Sequence, residues 1–566
     1  MKKRIVATLL LVAMLVVTLV GCNDEYAAKR SSANAMTVVI AMIADKIPTA
    51  ESVELVEKEL TSITSQLYNV AIELEFYTPD QYRATMDDKM KKLQSADLEG
   101  TLGSSIITGD SYTVNEFGRE EVKYLDPYEN QVDILLVADP LMLREYANNG
   151  WLYAIDGSDC MASVDGEGTL ISSYIPANIR EFGNYSGSTY AIPGNSLYGD
   201  YEYLLVNKDL YTKYGTVPAN KIKDISSISD YILTVAEKEQ EAVALYNISD
   251  IGFYGFSDRN SVVGRYMPGV EQGSVTTGVF TPSGILSEKI VSSHIQTICA
   301  LDDIGAALPA ITDDVDFTKK FGACYVKGNP VTIEEYTDDY YAIPVCAPVA
   351  DTASVFSSMY GICSYSSAPD RAFKILSLFS TSANFVNTLL YGVVDTHYTL
   401  DVSGNVVTKI ENSGYEMNRN RVGNLFLTMQ STDMSALELE ISANDWAIAK
   451  KMSGDAILSP YIGFELDYTL DPVNGISVGD INNHLEMLYD ELWLKVATFS
   501  DALDETTGEK MTFDAFYKML NDWLKADPYY AAATSTEADM PISFYNQYMA
   551  WYKIMNADPV IPELGI

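Results

Sequence analysis

The sequence predicts an α/β fold built on parallel strands, followed by a mainly helical C-terminal part. Three observations carry this. Residues 37–76 run strand, helix, strand with short connections, the pattern of a βαβ unit. Another apolar strand, Val132 to Val137, ends at Asp139-Pro140, where a helix opens. The last 90 or so residues are helical in period, with Trp493, Trp523 and Trp551 spaced along them. The 566 residues exceed one typical domain, and 47% of them are hydrophobic, enough for a large core.

The elements follow in order. Thr37 to Ile43 is a short apolar run with β-branched residues, a buried strand. Val53, Val56, Leu60, Ile63 and Leu67 recur at spacings of three and four, one face of a helix. Val70, Ile72, Leu74 and Phe76 alternate as a second strand. Pro79 suits a first helical position, where its missing N–H is not needed, and the helix extends to about Leu93. The helix after Pro140 stops at Gly150, a left-handed cap. Thr189 to Ile192 and Glu202 to Val206 form strands around a loop, Pro193 to Tyr201. Near Pro369 a helix turns Ala372, Ile375, Leu376 and Phe379 to one side. No internal repeat or low-complexity stretch stands out.

The first residues carry a different signal. Lys2, Lys3 and Arg4 precede an apolar run from Ile5 to Val20, and Leu19-Val20-Gly21-Cys22 closes it. This resembles a bacterial lipoprotein signal. The resemblance implies cleavage after residue 21, a diacylglycerol on the Cys22 thiol, and a polar tether over residues 22–36. A transmembrane anchor is the other reading, for which the run is slightly short. Each buried CH₂ contributes about 0.8 kcal/mol, so acyl chains would hold the chain on the outer face of the cell membrane.

Charge and composition narrow the classes. A formal net charge of -40 opposes binding to nucleic acid, which rests on neutralising phosphates. It opposes anionic lipid equally, leaving the acyl anchor as the membrane partner. Besides Cys22 there are five cysteines, Cys160, Cys299, Cys324, Cys346 and Cys363, with no CxxC spacing. Neither a disulfide framework nor a cysteine zinc site is expected. His294, His397 and His484 are scattered, so a histidine triad or zinc hydrolase lacks material. No cofactor and no metal are expected, and the chain is expected to be monomeric.

Four segments share a pattern with a known family. They are Val132-Asp133-Ile-Leu-Leu-Val-Ala-Asp139 with Leu143 to Asp156; Gly187-Ser-Thr-Tyr-Ala-Ile-Pro193 followed by Tyr203 to Gly215; Tyr360-Gly361-Ile362 with Ser366 to Lys374; and Leu389-Leu-Tyr-Gly-Val393 with His397-Tyr398-Thr-Leu400. In this order they resemble the extracellular solute-binding proteins of sugar ABC transporters, family 1-like, in their longer lipoprotein branch. The resemblance spans residues 37 to 430. It implies a type II, two-lobe binding-protein-like α/β fold with a hinge and a helical C-terminal part. Lobe 1 would comprise 37–192 and 340–385, and lobe 2 would comprise 193–339 and 386–566. Crossings would fall near Pro193, near Pro344 and after Phe385. Many long relatives carry an acidic calcium-type loop that Glu237 to Ile251 lacks, so no calcium is expected there. Ser188 stands where the family pattern has Lys.

Such a receptor would close on a carbohydrate and pass it to ABC permease subunits. Sugar hydroxyls need hydrogen bonds, and sugar C–H faces suit aromatic rings. The loop Asn195, Tyr198, Asp200, Tyr201 supplies both, against the alternative of a tyrosine-rich surface loop. Asp139 serves as ligand acceptor, as helix N-cap, or as both. Tyr360 is a cleft candidate beside Gly361. Trp446, in Asn444-Asp445-Trp446, is a stacking candidate or a core residue, and Trp151 reads as core. Adjacent pairs such as Glu120-Glu121 or Asp87-Asp88 cannot flank a glycosidic bond as hydrolysis requires. The expected function is therefore binding without catalysis. The alternatives are a lipid-anchored extracellular polysaccharide-degrading enzyme and a binding protein that serves a sensor.

Overall fold

The computed structural model describes residues 35–103, 112–114, 118, 120–155, 175, 177–239, 241–246, 286, 289–306, 320–330, 332–401, 406–431, 443–459, 461–504 and 506–555. Cys22, Cys160 and the expected tether lie outside the described residues, apart from residues 35 and 36. The chain forms two compact units. The first holds described residues up to Ser196 and those from Phe356 to 431. The second holds Leu197 to Val355 and the described residues from 443 onward.

Strand β1 (Met36–Ile43) is buried along its whole length, as its unbroken apolar run requires of a central strand. Helix α1 (Ala50–Tyr68) is capped by Thr49, whose hydroxyl accepts from the Ser52 N–H, and it ends at Asn69, φ 58°. Its buried stripe is Ser52, Val56, Leu60 and Thr64. Leu67, expected on that stripe, is 48% exposed. Thr64 takes the inner position because its hydroxyl donates to the carbonyls of Leu60 and Val70, tying the helix to the next strand. That strand, β2 (Val70–Tyr77), pairs parallel with β1 from Met36↔Val70 to Ile43↔Tyr77. Helix α2 (Pro79–Leu98) opens on Pro79 as predicted and runs past Leu93. Strand β3 (Ile134–Leu136) pairs parallel with β1, helix α3 (Pro140–Asn148) follows it, and β4 (Ala191–Ile192) comes later.

The chain then builds the second unit. Its first part is β5 (Tyr201–Asn207), α4 (Lys208–Tyr214), α5 (Ser229–Lys238), β6 (Val243–Tyr246), α6 (Lys289–Asp303), β7 (Phe321–Gly328), β8 (Tyr340–Cys346) and β9 (Val349–Ala350). The sheet order is β6-β7-β5-β8. On returning to the first unit, β10 (Tyr360–Ile362) inserts antiparallel between β3 and β4, giving the order β2-β1-β3-β10-β4. Helices α7 (Pro369–Thr381) and α8 (Ala383–Tyr391) follow. The strands β11 (Tyr398–Leu400), β12 (Val406–Lys409) and β13 (Gln430–Ser431) form a small sheet.

The second unit ends with α9 (Ala443–Asp455), β14 (Ile457–Leu458), α10 (Val478–Val496), α11 (Phe513–Ala526), α12 (Pro528–Thr534) and α13 (Phe544–Met555). Strand β14 pairs parallel with β9. Trp493, Leu485, Leu520 and Tyr548 from these helices share one core with Leu204 and Val206 of β5. Each such buried side chain contributes roughly 1.5–3 kcal/mol. The α/β class and the helical C-terminal part are those expected, but both main sheets are mixed rather than parallel, since β10 and β5 pair antiparallel with their neighbours. Among the described residues, no helix is long and apolar enough to cross a membrane.

The division by contact differs from the sequence expectation at two places. Residues 340–346 form β8, which pairs antiparallel with β5 from Tyr340↔Asn207 onward and so belongs to the second unit. Residues from 386 to 431 belong to the first unit. Helix α8 starts one residue after α7, with Ser382 between them, and buries Phe385, Val386, Leu389 and Leu390. The Tyr415 hydroxyl donates to the Leu389 carbonyl (2.7 Å), and the Ser52 hydroxyl of α1 donates to the Ser413 carbonyl (3.0 Å).

One buried carboxylate ties segments of the first unit together. Asp133 is fully buried and accepts from the Val39 N–H (2.9 Å), the Gln131 amide (2.6 Å) and the Ser366 hydroxyl (2.5 Å). Its backbone carbonyl accepts from the Cys363 N–H. Burial raises its pKa, and the three hydrogen bonds oppose that rise.

Candidate functional site

In an open α/β sheet, ligands sit beyond the carboxyl ends of parallel strands. In the first unit β1, β2 and β3 end at one edge, so the loops from residue 44 to 49, at Thr78 and from 137 to 139 line it. Asp139 stands at the last of these. One carboxylate oxygen accepts from the Met142 N–H (2.7 Å), the expected helix cap. The other lies 3.6 Å from Arg83, and just over a quarter of the side chain, 27%, stays open to solvent. Arg83 also pairs with Asp87 (3.2 Å) and Glu145, and it sits 5.3 Å from the centre of the Tyr146 ring. Three carboxylates thus share one guanidinium.

Tyr360 requires a correction. It lies in the interior strand β10, is 1% exposed, and donates to the Arg421 carbonyl (2.6 Å). Its ring packs 4.8 Å from Phe379. Burial pushes its phenol well above the ordinary tyrosine range. A residue held this way pins the core and offers no face to a ligand.

A segment that sequence reasoning passed over covers the same edge. Asn418 donates to Asp45 (3.0 Å), which follows β1. The Thr49 N–H donates to the Gly414 carbonyl (2.9 Å), and Arg421 donates to the Ser357 carbonyl (3.2 Å). Asn195 is half-buried, and its carbonyl accepts from the Leu425 N–H (2.8 Å). Its neighbour Gly194 is forced: a Cβ there would lie 1.8 Å from the Ser358 hydroxyl oxygen. Between residues 46–48 and 408–416 opens a cavity of about 350 Å³. In sequence its only local signal is turn chemistry, Asn412 (φ 57°) and Gly414 (φ 82°).

The family-like His397 is structural. Its Nδ1 accepts from the Val393 N–H (2.9 Å), and the ring is buried. Gly392 has φ 81°, and a Cβ on it would lie 2.5 Å from Nδ1, so glycine suits the position twice over.

In the second unit, Tyr198 is 2% exposed and shows no open ring face. Asp200 is exposed. Burial, with the Asp200 charge adding to it, pushes the Tyr203 phenol up to about 12. Tyr201 is half-buried. Its hydroxyl donates to Asp455 of α9 (2.6 Å), and its ring lies 5.8 Å from that of Tyr203, tilted by 52°. Lys451 lies 3.8 Å from Asp455. Trp446 is in the first turn of α9, and its side chain lies outside the description. Asp139 and Asn195 thus belong to the first unit, and Tyr198, Asp200, Tyr201 and Trp446 to the second. Acceptors next to tilted aromatic rings are groups that can engage sugar hydroxyls and C–H faces. Among the described residues, no group of three or more His, Cys, Asp or Glu could hold a metal ion.

No family model matches the chain, and no curated protein matches it. Among solved structures, it is similar to the N-glycan transport solute binding protein of Streptococcus pneumoniae. That match has 13% identity and a TM-score of 0.47, and it covers 92% of this chain and 99% of the other. The HMO binding ABC-transporter associated solute binding protein of Bifidobacterium longum infantis matches at 13% identity and a TM-score of 0.43, covering 92% and 99%. An extracellular solute-binding protein family 1 from Alicyclobacillus acidocaldarius subsp. acidocaldarius DSM 446 matches at 14% identity and a TM-score of 0.40, covering 87% and 99%.

Proposed function

We propose that this protein is a lipid-anchored extracellular receptor that captures a carbohydrate of oligosaccharide length. It then delivers the ligand to an ABC permease and does no chemistry on it. One observation carries the reading. Three segments that resemble sugar-receptor patterns lie far apart in sequence, yet they supply the neighbouring strands β3, β10 and β4 of one sheet. Segments that share a family pattern by chance have no reason to pair.

Asp139, Asn195, Asp200, Tyr201 and Trp446 would serve as ligand contacts. Tyr198 would support its loop from within. An Asp acceptor beside a Tyr ring meets the two kinds of surface that a sugar presents. Cys22 would carry the lipid, which keeps the receptor at the permease without a spanning helix.

Thermal shift of the full chain against a panel of oligosaccharides tests the reading. A ligand at 100 times its Kd should add about 2.7 kcal/mol of stability. Failure of every sugar to shift the melt would count against a carbohydrate receptor. Cell fractionation of the Cys22→Ser variant tests the anchor: release from membranes is expected, and retention equal to wild type would refute lipidation.

A further inference from the structure

We infer that the cavity between residues 46–48 and 408–416 is a subsite for an uncharged sugar ring or disaccharide, an inference that rests on the carbohydrate reading above. Its volume of about 350 Å³ is at the small end of ligand pockets, which run roughly 300–1,000 Å³. It lies just past Asp45 at the carboxyl end of β1, where α/β sheets hold ligands. The walls are chemically mixed. Lys46 and Lys409 bring two cations, Glu411 and Glu416 two carboxylates, and Ile47 and Pro48 an aliphatic face. The formal charges of these four side chains cancel, so the walls themselves favour neither a uronate nor an ammonium sugar. Hydroxyls can accept from the lysines and donate to the glutamates, while the C–H face of a ring rests on Ile47, which is 45% exposed.

The walls are braced from behind rather than free to collapse. The Thr49 N–H holds the Gly414 carbonyl, and the Ser52 hydroxyl holds the Ser413 carbonyl, so the 412–414 turn is tied to the start of α1. Gly414 at φ 82° lets the turn come this close, since a Cβ would lie 2.7 Å from the Thr49 hydroxyl oxygen. A pre-formed pocket loses little freedom on binding.

The experiment uses the full chain in detergent on an array of neutral, amino, uronate and sialylated glycans. Wild type should retain neutral glycans above their charged counterparts. Lys46→Met and Glu416→Gln should each weaken the best-retained glycan about 5- to 150-fold, the usual loss for an unpaired hydroxyl. Ile47→Trp should fill the cavity and weaken it at least as much, with an unchanged melting temperature showing an intact fold. If all three folded variants bind like wild type, the cavity is no subsite, and the receptor reading stands without it. Preference for a uronate or sialylated glycan over its neutral parent overturns the charge argument. If wild type retains no glycan, the carbohydrate reading fails and the subsite with it.

Discussion

Asp133 should be the most costly single polar residue to remove from the first unit. Asp133→Ala deletes the acceptor for the Val39 N–H, the Gln131 amide and the Ser366 hydroxyl. The Ser366 hydroxyl can rotate, so two donors remain stranded in a fully buried site. At about 1–3 kcal/mol each, the loss is about 2–6 kcal/mol. Asp133→Asn should cost far less, under about 1.5 kcal/mol. Its remaining oxygen can accept from Val39 and Gln131, and its amide can donate to the Ser366 oxygen. The two variants therefore separate hydrogen bonding from charge. Their pH dependence separates them further. Burial raises the folded-state pKa of Asp133 above its unfolded value of about 3.9. A raised carboxyl contributes its full stability below the unfolded pKa and loses it as pH rises through the folded one. The deficit of Asp133→Asn against wild type should therefore be largest below about pH 4 and shrink as pH rises. Urea denaturation, followed on the first unit's transition, measures both. An alanine variant within about 0.5 kcal/mol of wild type, or an asparagine variant as unstable as alanine, would refute the reasoning.

Other outcomes follow from the same geometry. Asp139→Ala should lose the helix cap and about 1 kcal/mol, while Asp139→Ser keeps most of that stability. If Asp139→Ser also keeps full sugar affinity by calorimetry, Asp139 is a cap alone. Tyr360→Phe should lower stability by about 1–3 kcal/mol, because the Arg421 carbonyl loses its donor, and leave sugar affinity unchanged. A large affinity loss in a folded variant would return Tyr360 to the site. Burial lowers the pKa of His397, so its neutral form is favoured on folding. As pH falls below the unfolded value of about 6.5, stability should fall, levelling off below the folded pKa. His397→Asn should flatten that part of the thermal-melt profile, and an unchanged slope would contradict the assignment.

Local elements were legible in the sequence wherever one period dominated. The unbroken apolar run of β1, the alternation of β2, Pro79 at a helix start and Asp139 at a cap all reflect interactions within a few residues. Partnership between distant segments was not legible. Nothing in residues 340–346 says that they pair with β5, and nothing in 408–424 says that they cover the edge beyond β1. Such pairings depend on long-range complementarity, which leaves no local period. The tyrosines show the same limit at the site. Tyr198, Tyr201 and Tyr360 are one residue type in similar polar surroundings, yet their exposure differs because their strands and loops are packed differently. An interior strand buried Tyr360, whereas the start of β5 left Tyr201 half open and bonded to Asp455.

The central claim is capture of a carbohydrate without chemistry. Titration calorimetry of the full chain with the best sugar from the thermal-shift panel tests it directly, with the sugar recovered afterward and analysed for length. The account predicts saturable binding, intact sugar, and a loss of about 5- to 150-fold in both Asp200→Ala and Tyr201→Ala. Cleaved sugar, or no saturable binding, would contradict it, and unchanged affinity in both folded variants would contradict the assignment of Asp200 and Tyr201.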